Sequence, residues 1–272
     1  MKKYLNIGLK IIFACSLIFV FTFSIIELNN TEQTLPTNSS STFSTKKIEW
    51  GIKRNNNHQQ PDLGSINKQI IDNAKGIAMG NSESKKVYLT FDNGYEAGYT
   101  SKILEVLKQN NVTATFFITA HYVNTSSDLV QRMIDEGHII GNHTVNHKSM
   151  PSLSQEEIKN EVMTLHTTIY NKFGYEMKYM RPPKGEYSEM SINYCNSLGY
   201  TTVMWSFAYD DWDEAKQGRE EYGKKKIIDN IHNGAVILLH GTSKDNSNIL
   251  DYCIKEIKNM GYEFASLDEF ER

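Results

Sequence analysis

Two kinds of apolar pattern alternate along the chain from about residue 85. Short runs rich in β-branched and aromatic residues predict strands, and these runs lie at 87–92, 114–120, 138–142, around Met180, and at 201–207, 235–240 and 262–267. Longer segments with an apolar residue every three or four positions predict helices, and these segments lie at 99–110, 126–137, 154–174, 188–199, 224–234 and 246–261. The sequence therefore predicts about seven strands that alternate with helices.

Strands that alternate with helices are typical of parallel βαβ units, so the predicted fold class is α/β. About seven strands fit either an open doubly wound sheet or a barrel close to the (β/α)₈ type, and the pattern alone leaves both open. Both architectures place their active sites at the carboxyl ends of the strands. Polar residues that follow the predicted strands are therefore the first candidates for function.

The N-terminus carries a different pattern. Residues 11–26 form an uncharged apolar run that follows Lys2, Lys3 and Lys10. A basic segment before an apolar one is typical of a secretory signal, and the run is nearly as long as the roughly 20 residues that span a bilayer. We therefore predict a signal peptide or an uncleaved signal-anchor over residues 1–27. Lysines before such a segment stay inside the cell, so the rest of the chain is expected outside.

The residues after this segment divide into a stem and a domain. Residues 28–46 are rich in Asn, Ser and Thr and predict a flexible polar stem. The segment 47–272 is long enough for one large domain with a sizeable core. The net charge is −3 and no basic stripe is present in the sequence, which argues against nucleic acid as a partner.

Three cysteines occur without CxxC spacing. Cys15 lies in the N-terminal apolar run, which leaves Cys195 and Cys253 as the pair that a disulfide would join. Both lie in predicted helices, which favours buried free thiols. The sequence leaves the disulfide open.

Two polar motifs follow the first strands of the predicted sheet. Asp92, in the segment TFDNG, ends a strand; it is either a turn former or a functional carboxylate. His143 and His147, in HTVNH, follow the strand 138–142. The i, i+4 spacing puts both imidazoles on one face if the segment is helical, where they are able to share a divalent metal. The alternative is a pair of surface histidines.

Three further motifs lie near later strands. Arg181 belongs to RPPKGEYS, whose prolines and glycine predict a rigid turn. Trp212 lies among acidic residues in SFAYDDWD, where it is either a packed loop residue or a wall for a sugar ring. His240 ends the strand in ILLHG, as a buried core histidine or as a general acid or base. Each motif alone is weak.

Together and in this order, the motifs resemble the five motifs of the polysaccharide deacetylases of carbohydrate esterase family four, over about residues 47–270. The segments TFDNGYEAGYT, GNHTVNH, RPPKGEYSE, WSFAYDDWD and LLHGTSKDN are similar to those of the subgroup that makes muramic δ-lactam in the bacterial spore cortex. The resemblance implies a distorted (β/α) barrel with about seven parallel strands.

The resemblance also implies catalytic roles. Asp92 corresponds to the base that deprotonates the attacking water, and Arg181 to the arginine that orients this base. His240 corresponds to the general acid that protonates the leaving amine. Asp211 corresponds to the aspartate that stabilises this charged network.

Metal and substrate contacts are implied in the same way. His143, His147 and Asn93 correspond to the ligands of a divalent metal, with zinc expected and cobalt or manganese as alternatives. Most of the family has Asp at the position of Asn93, and a neutral amide binds a cation less strongly than a carboxylate. The N–H of Lys184 corresponds to an oxyanion donor, and we expect the neighbouring Tyr187 and Trp212 to contact substrate.

The implied activity is metal-dependent hydrolysis of the N-acetyl group of N-acetylmuramic acid in peptidoglycan. Two alternatives remain at this point. One is the same chemistry on GlcNAc in peptidoglycan or on chitin-type oligosaccharides or acetylated xylan, and the other is a wall-binding protein without catalysis. The expected partners are peptidoglycan glycan strands and, through residues 1–27, a membrane; a monomer that faces the cell wall, or is secreted after cleavage, is expected.

Overall fold

The structure, a computed structural model, describes residues 43–272. Its strands are β1 (Ile48–Glu49), β2 (Lys86–Asn93), β3 (Thr115–Ile118), β4 (Ile139–Asn142), β5 (Tyr179–Met180), β6 (Glu186–Tyr187), β7 (Thr201–Thr202), β8 (Val236–His240) and β9 (Glu263–Phe264). Seven of them form one sheet in the order β7-β5-β4-β3-β2-β8, with β9 paired to the start of β2. Every pairing in this sheet is parallel.

The sheet is curled rather than flat. Strand β2 lies between β3 and β8 and is buried along nearly its whole length, as expected for a parallel strand covered on both faces. At the open side, the N–H groups of Ser206 and Phe207 both donate to the carbonyl of Val236, at 3.0 and 3.2 Å. These bonds join the segment after β7 to β8, so the two edges of the sheet approach each other. The predicted distorted α/β barrel is confirmed.

Helices cover the outside of the sheet. They are α1 (Ser65–Asn73), α2 (Thr100–Gln109), α3 (Ala120–Thr125), α4 (Ser127–Asp135), α5 (Gln155–Phe173), α6 (Glu189–Ser197), α7 (Glu220–Asn230) and α8 (Lys244–Asn259). Helix α5 has a capping box between Ser154 and Glu157, and it ends at Gly174 in the left-handed conformation. Such signals fix both ends of a helix, which explains why the predicted segment 154–174 matches the observed helix so closely.

The segment before α1 closes the side of the barrel. Strand β1 pairs antiparallel with β6, and the indole N–H of Trp50 donates to the carbonyl of Trp205 at 2.9 Å. The last residues of the predicted stem already contact the domain, because the carbonyl of Ser44 accepts a hydrogen bond from the N–H of Met190 at 3.0 Å. The predicted signal segment 1–27 lies outside the described residues. Between residues 43 and 272, no helix combines the length and apolar character needed to cross a bilayer.

Several predicted elements differ from the observed ones, among them two strands near the site. The strand expected at 114–120 ends at Ile118, because Thr119 caps helix α3 through its side chain. The strand expected at 201–207 keeps only two residues in β7; after them Val203 forms an isolated bridge to Ile77, and Phe207 forms one to Ile237 of β8. Cys195 and Cys253 are buried and unpaired, as the helical context favoured; burial raises the pKa of both thiols to about 12.

Candidate active site

The carboxyl ends of the central strands meet at one cavity of about 940 Å³. Asp92 of β2 and His240 of β8 are register partners on adjacent strands. His143 directly follows β4, and Arg181 directly follows β5. Asp92, His143, His147 and His240 line the cavity, so the structure brings together four residues that the sequence predicts for the site.

Asp92 and Arg181 form a buried ion pair. The guanidinium donates to Oδ1 of Asp92 at 2.7 Å and is itself fully buried. Its other N–H groups donate to the hydroxyl of Thr90 at 2.9 Å and to the carbonyls of Val203 and Met204 at 3.1 and 3.3 Å. Separating a buried ion pair is costly because each charge is left without a partner. Asp92 therefore stays bonded to Arg181, and this bond fixes the position of its carboxylate.

This pairing sets the ionisation of Asp92. Burial raises the pKa of the carboxyl, but the charge and hydrogen bond of Arg181, with further contributions from His143 and His240, together outweigh burial, and the net pKa lies below the ordinary value of 3.8. Oδ1 is occupied by Arg181, whereas Oδ2 lies 3.5 Å from Nε2 of His143. Asp92 is therefore an ionised base with one oxygen on the side of the histidine pair.

His143 and His147 face each other across 3.2 Å between their Nε2 atoms. The sequence pattern predicted that both histidines lie on one face of a helix. This prediction is wrong, because residues 143–147 form a loop between β4 and α5. Thr144 and His147 adopt positive φ angles of 68° and 54°, and the hydroxyl of Thr144 accepts from the N–H of His147 at 3.1 Å. The tight turn brings the two rings together in place of helical spacing.

Both imidazoles are held neutral. Burial lowers the pKa of His143 below its ordinary value of 6.5, and burial together with His143 lowers the pKa of His147 to about 4. The Nδ1–H of His143 donates to the carbonyl of Arg181 at 2.8 Å, which leaves the lone pair on Nε2. An ion bound at about 2.0–2.1 Å from a nitrogen is able to contact both Nε2 atoms at this separation, so the pair fits two ligands of one divalent cation.

Asn93 is fully buried next to Asp92. Its Nδ2 donates to the hydroxyl of Thr100 at 3.2 Å, whereas its Oδ1 has no hydrogen-bond partner among the described residues. A buried acceptor without a partner costs about 1–3 kcal/mol, and a cation is one group that satisfies it. Asn93 does not line the cavity itself, and no cluster of three or more His, Cys, Asp or Glu side chains suited to a metal lies within residues 43–272.

His240 and Asp211 form the second charged pair. The Nδ1–H of His240 donates to Oδ1 of Asp211 at 2.8 Å, and the N–H of His240 donates to Oδ2 at 2.7 Å. Burial lowers the pKa of His240, but the charge and hydrogen bond of Asp211, together with the charge of Asp92, outweigh burial, and the net pKa lies above the ordinary value of 6.5. With Nδ1 occupied, Nε2 is the ring nitrogen left for a molecule in the cavity, which suits a general acid.

Two residues that were not predicted from the sequence extend the hydrogen bonds around Asp211. Asn246 of α8 is buried and donates through Nδ2 to Oδ2 of Asp211 at 2.5 Å. The hydroxyl of Tyr209, on the cavity wall, donates to Oδ1 of Asn246. Asn246 is the last residue of the segment LLHGTSKDN that carries the family resemblance. The motif could therefore have pointed to Asn246, but it could not show that this residue bonds Asp211.

Lys184 lies on the cavity wall in the turn that the prolines predict. Its φ angle is 61°, and a Cβ on the next residue, Gly185, would lie 2.8 Å from Trp205. The side chain of Lys184 is exposed. It is the one lysine or arginine side chain among the described residues that line this cavity.

The two predicted aromatic contacts have different outcomes. Trp212 lies on the cavity wall and is 60% exposed, as a ring that stacks on a sugar needs to be. The side chain of Tyr187 is fully buried in the cluster around Trp50 and donates to Oδ1 of Asn67 at 2.6 Å. The Tyr187 side chain therefore does not line the cavity, because alternation along the short strand β6 turns it to the core.

Comparison with known proteins gives a consistent picture. Residues 79–203 match the family model described as polysaccharide deacetylase. The chain is 43% identical over 223 residues to the peptidoglycan-N-acetylmuramic acid deacetylase PdaA of Bacillus subtilis, covering 82% of this chain and 85% of that protein. The match to the peptidoglycan-N-acetylglucosamine deacetylase PgdA of Listeria monocytogenes is 28% identical and covers half of that protein.

Solved structures agree with the sequence comparison. The structure of Bacillus subtilis PdaA, a family 4 carbohydrate esterase, has a TM-score of 0.81 at 42% identity and covers 84% of this chain and 97% of that one. A family 4 pseudoenzyme from Bacillus anthracis has a TM-score of 0.67 at 26% identity, covering 72% of this chain and 68% of that one. The extent of the match at more than 40% identity confirms the resemblance seen in the motifs. This chain belongs to the polysaccharide deacetylase family, the family 4 carbohydrate esterases.

Proposed function

We propose that this chain hydrolyses the N-acetyl group of N-acetylmuramic acid in peptidoglycan, and that the freed amine leads to muramic δ-lactam in spore cortex. The observation that carries the proposal is the presence of two charged pairs at one cavity. Asp92, which Arg181 holds, and His240, which Asp211 holds, lie at the ends of adjacent strands and line one cavity. Amide hydrolysis needs a base for the water and an acid for the amine, and the two pairs supply one of each.

His143 and His147 would hold a divalent metal, with the unpartnered Oδ1 of Asn93 as the proposed third ligand. Imidazole ligands suit zinc, with cobalt or manganese as alternatives. When bound, such an ion polarises the acetyl carbonyl and lowers the pKa of water to about 7. The neutral state of both rings keeps their nitrogens available for this role.

Asp92 accepts the proton of the attacking water. Its lowered pKa keeps the carboxylate ionised at neutral pH, and Arg181 fixes Oδ1 so that Oδ2 receives the proton. The same charge on Arg181 makes Asp92 a weak base, so position rather than basicity is its main contribution. General bases placed in this way contribute about 10²–10⁴-fold to the rate.

His240 donates a proton to the leaving amine. An amine leaves poorly until it is protonated, and the raised pKa of His240 favours the protonated imidazole that donates the proton. Asp211 holds Nδ1, so the proton on Nε2 is the one to be transferred. By analogy with the family, the backbone N–H of Lys184 donates to the oxyanion that develops on the acetyl oxygen. Such a donor stabilises the transition state by about 2.7–4 kcal/mol.

N-acetylmuramic acid is the proposed substrate for two reasons. The relative PdaA bears that substrate in its name, and the cavity presents Lys184 as a cation. Muramic acid without its stem peptide exposes a lactyl carboxylate that GlcNAc lacks. An exposed ion pair of this kind contributes about 0.2–1 kcal/mol, enough to tune selectivity between the two sugars. Trp212 offers a ring face for the sugar.

The proposed location follows from the substrate and the N-terminal sequence. Peptidoglycan lies outside the cytoplasmic membrane, and residues 1–27 carry the pattern of a signal peptide or signal-anchor. We place the domain outside the cell as a monomer on glycan strands, anchored by this segment or secreted after its cleavage.

Acetate release by the purified full-length chain with zinc tests the proposal. Peptide-free glycan strands should release acetate faster than chitooligosaccharides of similar length. Faster turnover of the chitooligosaccharides would favour the GlcNAc alternative. Release from neither substrate would favour a wall-binding protein without catalysis.

A further inference from the structure

Glu161 is a buried carboxylate that the proposed mechanism does not use. It lies in helix α5 with 5% of its surface exposed. Buried carboxylates are costly unless they are well bonded, so its partners show what it does. All of the side-chain partners found for Glu161 in residues 43–272 lie in the loop that carries His143 and His147.

Glu161 bonds this loop at several points. Oε2 accepts from the N–H of Asn146 at 2.7 Å, and Oε1 accepts from Nδ2 of the same residue at 2.8 Å. The backbone carbonyl of Glu161 accepts from the N–H of Val145 at 3.1 Å. Nζ of Lys148 lies 3.4 Å from Oε1. Glu161 therefore binds two successive positions between the histidines, Val145 and Asn146, and one residue beyond them, Lys148.

The loop needs such support because its backbone is strained. Thr144 and His147 both have positive φ angles, and left-handed non-glycine residues persist only where surrounding contacts hold them. The Thr144 side chain makes one internal bond to His147. The bidentate contact from Glu161 attaches the residue next to His147 to a long helix.

We propose that Glu161 is a positioning residue that holds the loop so that Nε2 of His147 faces Nε2 of His143. The inference rests on the proposed metal site, which uses these two nitrogens. Glu161 acts through Asn146 and contacts neither imidazole. Its loss lets the loop relax from its strained form, and the two nitrogens no longer share one ion.

Zinc titration calorimetry on the full-length chain tests this role. Glu161→Ala should weaken zinc binding about 10–100-fold, the usual effect of losing a residue that supports a metal ligand. Glu161→Gln keeps the shape and one acceptor, but it sets an amide NH₂ against Nδ2 of Asn146, and it should weaken zinc binding about tenfold. Glu156→Ala, an exposed position on the same helix, is the matched control and should bind zinc like the parent.

Hydrogen exchange without metal provides a second measurement. The N–H of Asn146 should exchange faster in both Glu161 variants than in the parent and in Glu156→Ala. Parent-like zinc affinity and parent-like exchange in Glu161→Gln would overturn the proposal, even if Glu161→Ala fails to fold. A parent that binds no zinc, together with faster exchange in the variants, would contradict the metal site while retaining the role of Glu161 in holding the loop.

Discussion

Nδ1 of His240 lies 2.8 Å from Oδ1 of Asp211, and the backbone N–H of the same histidine bonds the other carboxylate oxygen. Both contacts arise because the loop after β7 returns to the end of β8. Asp211 therefore fixes the ring and raises the pKa of His240 against the effect of burial. The charge state of this pair controls the proposed acid step.

The pH profile of kcat should have a basic limb set by His240. Activity requires the protonated imidazole, so it is present below the His240 pKa and lost as pH rises through that pKa, which lies above 6.5. Asp211→Asn removes the charge and leaves burial, so the limb should move to lower pH and kcat should fall about 10²–10⁴-fold at neutral pH. Asp210→Asn, in the same loop, should leave the limb in place; an unmoved limb in Asp211→Asn would contradict the assignment.

Asn246 should shift the same limb in the opposite direction. Its Nδ2 donates to Asp211, so Asn246→Leu removes a donor and leaves the carboxylate to attract the His240 proton more strongly. We expect the basic limb to move to higher pH and stability to fall by about 1.5–3 kcal/mol, the value of a hydrogen bond to a charged group. pH–rate profiles and denaturant unfolding measure the two effects. The exposed Asn248→Ala on the same helix is the control, and a downward shift in Asn246→Leu would refute this account.

Asn93→Asp should tighten zinc binding. The substitution replaces a neutral amide oxygen that has no partner with a charged one, and a carboxylate binds a divalent cation more strongly than an amide. The hydroxyl of Thr100, which now accepts from Nδ2, is able to rotate and donate instead. Calorimetric titration compares the variant with the parent. Unchanged or weaker affinity would show that Asn93 is not a ligand.

Lys184→Asn should narrow the preference for muramic acid. Asparagine tolerates the positive φ at this position and keeps the backbone N–H, but it removes the cation from the cavity. The ratio of acetate release from peptide-free strands to that from chitooligosaccharides should fall by up to about fivefold, the effect of about 1 kcal/mol. Lys178→Gln, on an exposed lysine paired with Asp268, should keep the parent ratio. If Lys184→Asn keeps the same ratio of acetate release as the parent, the lactyl group is recognised by another residue.

The sequence predicted the parts of the site that lie on regular elements. Asp92 and His240 end continuous apolar strands, and parallel strands bring such ends to one edge, so both positions followed from the pattern. The alternation of strands and helices likewise predicted the α/β fold. The sequence pattern did not distinguish an open sheet from a barrel. The structure distinguishes them, because the sheet curls until residues 206 and 207 bond β8.

The conformations of the loops could not be predicted from the pattern of apolar and polar residues. The i, i+4 spacing of His143 and His147 indicated a helix, whereas two left-handed residues form a turn that a periodicity rule does not describe. Three aspartates surround Trp212 in the sequence, and only the fold shows that Asp211 bonds His240 while Asp210 bonds Lys216 and Arg219. Glu161 and Asn246 lie on ordinary amphipathic helices, and their partners are distant in the chain.

Mass spectrometry of peptide-free glycan strands after incubation with the full-length chain and zinc tests the central claim most directly. It locates the sugar from which the acetyl group is lost. The account predicts deacetylated muramic acid or its lactam, intact GlcNAc, and no product from Asp92→Asn, whose amide is unable to accept the proton of the water. Acetyl loss confined to GlcNAc, or equal product from Asp92→Asn, would contradict it.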